Sequence, residues 1–469
     1  MNCTHPRRLL ISCLVLALLA AALVVAVGPT RTPYLDFLRQ GDAHAARAER
    51  TAAVVAYQEA AQLRPNDPDP HLRLARVYLD WGRAAEALAA VRAAERLGAE
   101  GVELERLWIT VHAARADWPA VVTHARRLLD LAPGDSPARH ALAGATLELR
   151  QWDGARAEYE ALVAADPSDA LAHERLGALL LGDDPAAVQH LFAAGTELAD
   201  RLLAALGEAG VADDPVYARA LVGQVLFEEQ EWALAARLFE RALMGSPDYA
   251  DAHAYLGYAL DQMGYPEDAL PHLQQAVALA PNSAVAHTFM GMHYSRLGDV
   301  SAARTAFETA YDLDLGNPAT CVEIGQTWAA EGRYVAAEIW LREAVSLQPD
   351  DPALWEVLAR FYLDHHITAA GRAVEATEAL VRLSADDACA HDLRGWAAFQ
   401  VGDTDTARES LQRAAQLDPA LASAHYHLGR LWVADGEYQQ AREALTRALD
   451  LDTTGHLAPL VERAMGELP

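Results

Sequence analysis

The chain is 469 residues long and carries a formal charge of −28, and all 38 of its basic residues are arginine because lysine is absent. That excludes Schiff-base lysines and a phosphate-loop lysine, and a strongly acidic surface repels nucleic acid and anionic lipid. Hydrophobic residues make up 52% of the chain; rich in alanine, leucine, arginine and glutamate, it predicts helices rather than strands.

Residues 1–33 read as a tail, an apolar helix and a linker. The uncharged run from Leu9 to Val27 follows Arg7 and Arg8, and its 19 residues reach about 28 Å as a helix, close to the ~30 Å bilayer core. A single-pass membrane anchor is expected, with a cleaved signal peptide as the alternative. The short arginine-bearing tail favours a repeat body outside the cytoplasmic membrane of a bacterium. Alternatives are a periplasmic or secreted body after cleavage, or a body facing the cytoplasm. Cys3 and Cys13 belong to this leader, and with Cys321 and Cys389 they form neither a disulfide framework nor a zinc motif.

From residue 34 the chain repeats with a period of 34 residues. Within each unit, positions 8, 20 and 27 are small, 11 and 24 large, 15 is glycine and 32 proline. Small residues at 8 and 20 let two helices approach, large ones fill the space beside them, and glycine and proline end the helices. In the N-terminal array, 34–181, the pattern is loose: Gly41, Tyr57, Ala60 and Pro65 mark one unit, and Ala75, Tyr78, Gly82, Ala87 and Ala94 the next. Pro133 and Pro167 close two more, and Ala170 with Gly177 opens a fifth.

The segment 182–215 interrupts the period, since the units at Ala170 and Val216 are 46 residues apart. Asp183-Asp184-Pro185 is a helix start and Thr196 to Leu206 has helical apolar spacing, so an irregular helical insertion is expected. It breaks the array or offers a binding insertion.

The C-terminal array, 216–455, is strict. Gly257, Leu260, Gly264, Ala269, Leu273, Ala276 and Pro281 fill all seven positions in one unit, and Gly325, Trp328, Gly332, Ala337, Leu341, Ala344 and Pro349 in another. The unit from Pro352 is two residues longer and places His365-His366 in its turn. Residues 456–469 read as a helix that caps the last apolar face.

These residues resemble the tetratricopeptide repeat family over roughly Tyr34 to Gly455. The resemblance implies an all-α superhelical solenoid of about 12 helix-turn-helix repeats, whose concave face holds proteins or peptides. Positions 2, 5, 9 and 12 of each first helix line that face in the family. On this chain they give Arg76, Arg106, Tyr217, Phe227, Tyr258, Met292, Trp396, Phe399, Tyr426 and Arg430 as candidate partner contacts, aromatic and arginine side chains being strong interface residues. Some of them could instead pack against the next helix. The lysine and asparagine clamp of chaperone-binding members is not matched, nor is the asparagine ladder of sugar-transferring ones.

No catalytic, metal or cofactor motif is present. His71, His173, His253, His287, His391 and His425 all fall at position 4 of their units, where Trp355 also occurs, and that regularity predicts a packing role. The chain is therefore read as a membrane-anchored interaction scaffold for assembly, secretion or envelope processes, without enzymatic activity. The alternative is a recruiting or regulatory subunit of an envelope enzyme complex for glycan or pilus assembly.

Overall fold

The computed structural model describes residues 33–212, 214–367 and 371–469. The apolar run 9–27 and the cysteines Cys3 and Cys13 lie outside them. Among the described residues no helix is long and apolar enough to cross a membrane. The described chain is all-helical, with 26 helices and no strand.

Contacts divide the described chain into two compact units, residues 33–80 with 85–99, and residues 81–84 with those described from 100 to 469. In the first, α1 (Pro33–Ala45) pairs with α2 (Arg50–Leu63), α2 packs on α3 (Asp69–Asp80), and α4 (Ala84–Arg96) follows. Gly41 lies flat on the Tyr57 ring, whose hydroxyl donates to Asp42 at 2.7 Å.

The second unit continues the hairpins: α5 (Val102–Ala113) with α6 (Trp118–Leu131), α7 (Ser136–Glu148) with α8 (Trp152–Ala165), and α9 (Ala170–Leu180) with α10 (Ala186–Ala194). After a lone α11 (Glu197–Ala212) come α12 (Pro215–Glu228) with α13 (Trp232–Gly245), α14 (Ala250–Gln262) with α15 (Pro266–Leu279), and α16 (Ala284–Arg296) with α17 (Val300–Leu313). Then follow α18 (Pro318–Ala330) with α19 (Tyr334–Leu347), α20 (Pro352–Asp364) with α21 (Arg372–Leu383), α22 (Ala388–Gln400) with α23 (Thr404–Leu417), α24 (Ala422–Asp435) with α25 (Tyr438–Leu451), and a final α26 (Ala458–Gly466).

Each hairpin is built the same way. Asp135, Asp169, Ser283, Asn317 and Asp387 cap the first helix of their unit by accepting from backbone N–H groups that the helix leaves unpaired. Inside the hairpin, position 8 meets position 24. A Cβ on Gly257 would lie 2.6 Å from Leu273 Cγ, and one on Gly395 would lie 2.6 Å from Leu411 Cγ. The third hairpin reverses the sizes, with Ile109 at position 8 and Ala125 at position 24, both buried. Total volume is kept, so the fold is too.

Position 15 turns the chain in the left-handed region. Gly264, Gly298, Gly332, Gly402 and Gly436 supply it in the C-terminal array. Ala48, Ala116, Arg150, Gln230 and His366 also have positive φ, between 51° and 59°, and every one of them stands at position 15. The hairpin geometry is imposed even where the residue resists it.

The segment 182–215 divides in two. Its first helix, α10, is the second helix of the fifth hairpin, because Ala187, Leu191 and Ala194 occupy the small, large and small positions two residues early. Leu191 covers Gly177 as Leu273 covers Gly257. Only α11 is additional, and it packs on α12. At the other end Val461 and Ala464 of α26 seal the last hairpin against Tyr426, Leu445 and Ala448. Asp452 starts α26 by accepting from Leu457 and Ala458 N–H at 2.8 and 3.0 Å.

Candidate partner-binding surface

Within the second unit the first helices α12, α14 and α16 lie side by side, as do α20, α22 and α24, so the outward positions of each set share a face. On α12, α14 and α16 that face is aromatic. Phe227 meets Tyr255 edge-on at 4.9 Å and Tyr258 at 5.2 Å, Phe289 sits 4.7 Å from Tyr258, and Trp232 at the start of α13 closes the group 5.2 Å from Phe227. Edge-to-face pairs at these distances are favourable. All five rings are half-buried, which leaves part of each for a partner. A second cluster forms on α22 and α24, where Trp396 stacks on Phe399 at 5.2 Å and on His427 at 4.3 Å. His427 Nδ1 is held 2.7 Å from Asp392 Oδ1.

The ten candidate residues thus fall into groups. Phe227 and Tyr258 come together, as do Trp396 and Phe399. Tyr217 stands apart on the first turn of α12, 38% exposed. Met292 is half-buried against the cluster of Phe307 and Ile324. Tyr426 is only 6% exposed, because α26 covers it and turns a groove position into core. Arg430 is half-buried, 3.8 Å from Glu467. Arg106 is exposed and donates to Asp135 at 2.5 Å, holding that carboxyl below the usual range together with the capped Ala138 N–H. Arg76 is exposed on α3 in the first unit.

Residues outside that set matter as much. Trp232, Tyr255 and Phe289 complete the first aromatic cluster. Trp232 belongs to a periodic signal of its own, since Trp118, Trp152, Trp232, Tyr334 and Tyr438 all stand at position 17. Tyr255 and Phe289 share position 6.

The position-4 histidines act as clasps. The Nε2–H groups of His173, His253, His287, His391 and His425 donate to the carbonyl six residues earlier at 2.9–3.2 Å, and the Trp355 indole does the same to Pro349 at 2.8 Å. Each ties a helix start to the preceding loop. Among the described residues no group of three or more metal-binding side chains converges. A buried pair, His293 Nδ1 with Asp261 Oδ2 at 2.8 Å, joins α16 to α14 with both side chains sealed from solvent.

Where α11 interrupts the array, distant hairpins meet through charge. Arg150 reaches Glu240 at 2.5 Å and Asp268 at 2.8 Å, and the Tyr265 hydroxyl donates to the Glu148 carbonyl at 3.1 Å. Arg237 and Arg241 both hold Asp183. Arg150, Glu240, Arg237 and Arg241 border an open cavity of about 600 Å³ above Trp152.

Sequence models of the tetratricopeptide repeat match residues 140–197 and 393–456, and residues 226–292 and 294–361, more than half of the 469 residues together. The chain belongs to the tetratricopeptide repeat family. Superkiller protein 3 of Schizosaccharomyces pombe is 24% identical over 200 residues, 40% of this chain and 14% of that protein. The lipoprotein NlpI homolog of Haemophilus influenzae is 30% identical over 132 residues, 27% of this chain and 42% of that protein. This tetratricopeptide repeat chain thus matches less than half the length of either relative. The crystal structure of yeast Tom70 is similar with a TM-score of 0.41 at 14% identity, covering 92% of this chain and 95% of that one. As a family member the chain is a helical scaffold suited to protein–protein interaction.

Proposed function

We propose that the protein is a membrane-anchored scaffold that holds a protein or peptide partner on the face made by its first helices. The observation that carries this is the aromatic cluster of Phe227, Tyr255, Tyr258 and Phe289, half-buried across three successive hairpins. Half-exposed aromatic side chains on a rigid face supply large contact area at small entropic cost. Residues 9–27 serve as the tether, the repeat body lies outside a bacterial cytoplasmic membrane, and the partner belongs to envelope assembly or secretion. The match to a protein named as a lipoprotein supports an envelope setting.

The test is co-purification of the full chain from solubilised membranes. A stoichiometric partner that is lost with Tyr258→Ser and Phe289→Ala, but kept with a surface substitution on a second helix, is the expected result. Recovery without any stoichiometric partner counts against the reading. Protease digestion of spheroplasts is expected to cleave the repeat body, and full protection places it in the cytoplasm instead.

A further inference from the structure

A second cavity, about 320 Å³, opens one hairpin before the break at His140, Gly144 and Leu171, positions 5, 9 and 2 of their units, which line the groove in the family. Its floor is α7, its sides are Trp118 of α6 and Leu171 of α9, and the turn before α13 brings Glu231 to its edge. Gly144 lies in the floor, and a Cβ added there would meet nothing within 4 Å. The space is open groove rather than a packing gap.

The charges around it do not balance. Arg175 is gripped by Glu231 in a two-pronged pair, with Nη2 2.6 Å from Oε1 and Nη1 on Oε2. His140 and Asp169 satisfy each other at 2.7 Å. The Glu148 carboxylate accepts a hydrogen bond from no described residue, although it lines the cavity and is half-buried. Burial, and then the charge of Glu231, push the Glu148 carboxyl above its ordinary range, and Arg175 opposes this only in part. A carboxylate left in that condition is costly unless a cation arrives.

We propose that this cavity is a specificity pocket for one cationic side chain, a guanidinium or an ammonium, projecting from the bound partner onto Glu148. The proposal rests on the groove reading above and adds the chemistry of the partner. Gly144 leaves room for the incoming chain, Trp118 gives the cation's alkyl stem and charged head an aromatic wall, and Glu231, already neutralised by Arg175, stays in place. The net charge of −28 draws basic chains toward the protein from a distance. The pocket then selects among them by charge, since a neutral isostere leaves Glu148 unpaired.

The experiment uses the full chain with acetylated, amidated pentapeptides that carry arginine, lysine, citrulline or glutamate at the centre and a benzophenone side chain beside it. Photo-cross-links are mapped by mass spectrometry, and affinities are taken by competition. Arginine and lysine peptides are expected to cross-link within residues 113–175, and citrulline and glutamate peptides to bind about tenfold more weakly or worse. Glu148→Gln brings the arginine peptide down to the citrulline level, with a far-UV spectrum and urea midpoint no worse than wild type. Gly144→Leu excludes all four peptides by filling the floor. Equal binding of arginine and citrulline peptides, indifference to Glu148→Gln, or the absence of any cross-link in 113–175 overturns the proposal. Cross-links on residues 227–292 in that case leave the groove reading standing. The partner-recovery test judges that reading independently.

Discussion

Between α14 and α19 the packing repeats from hairpin to hairpin, and Tyr265 and Asp268 also reach back to the break. Glycine at position 8 lies under a large residue at position 24 of the same hairpin, the turn is glycine in the left-handed region, and the next hairpin repeats the arrangement. Between α7 and α13 the same units are held differently. The turn residue is Arg150, the fifth hairpin closes two residues early, α11 is interposed, and the chain is tied across 90 and 118 residues by Arg150 with Glu240 and Asp268. A regular repeat array behaves as a one-dimensional stack in which each unit answers only to its neighbours. The break converts one stretch of it into a small three-dimensional domain, where long-range charge pairs are added to a continuous buried apolar core. Cavities with unbalanced charge lie on that side, whereas the aromatic face begins where regularity returns.

The sharpest way to break this contrast is to add volume on each side. Gly257→Val would press its side chain onto Leu273 and toward the Ala269 carbonyl, 3.2 Å from the new Cβ. A loss of about 3 kcal/mol is expected from overpacking, read as a fall in the urea midpoint. Gly144→Ala, in open groove, is expected to leave the midpoint unchanged or raise it by about 0.5 kcal/mol through helix propensity. Equal losses at the two sites would erase the distinction between packed hairpin and open break.

A smaller effect separates two of the five turns that lack glycine at position 15. Gln230 is exposed with φ 59° and Arg150 is half-buried with φ 57°. Relief of the left-handed strain makes Gln230→Gly more stable by about 1 kcal/mol. Arg150→Gly gains the same relief but strips Glu240 and Asp268 of their cation, and a net loss of about 1 kcal/mol is expected. Salt sharpens the comparison: 0.5 M sodium chloride should shrink the Arg150→Gly penalty and leave Gln230→Gly unaffected. Two equal gains in thermal or urea midpoint would mean that Arg150 carries no tie.

The helical hairpins and their phase were legible in the sequence because each is set by residues within one period, such as Gly257 with Leu273 and Gly264. Three things were not. The fifth hairpin's second helix hid because Ala187, Leu191 and Ala194 run two residues ahead of the period, although the small, large, small order is intact. Arg150 gave no sign of its partners, since a pairing over 118 residues leaves no local pattern. Tyr426 occupies a position that the repeat rule assigns to the groove, yet Val461 and Ala464 of α26, the cap helix expected over 456–469, cover it. The groove map therefore named Phe227 and Tyr258 but passed over Glu148, at position 13 of its unit.

The smallest effects expected are titrations, and they have opposite signs. In the regular array His253 Nε2–H donates to the Pro247 carbonyl, so its Nδ1 accepts from His272 Nδ1–H at 2.8 Å. Burial first, then the charges of His253 and Arg150, hold His272 below its ordinary pKa while Asp268 opposes them. The unfolded chain then takes up a proton that the folded one refuses, and stability falls as pH drops below about 6.5. His272→Gln should flatten that fall. At the break, the Glu148 carboxyl is raised, so the folded state favours its protonated form. Its contribution is complete below the ordinary carboxylate range and is lost as pH rises through the raised value. Glu148→Gln should accordingly lift the urea midpoint at pH 7 and leave it unmoved at pH 4, whereas a cationic ligand in the pocket should narrow the pH 7 gap by stabilising only the wild type. A midpoint for Glu148→Gln that tracks wild type at both pH values would show a carboxylate already compensated, and the charge contrast between the two regions would fall with it.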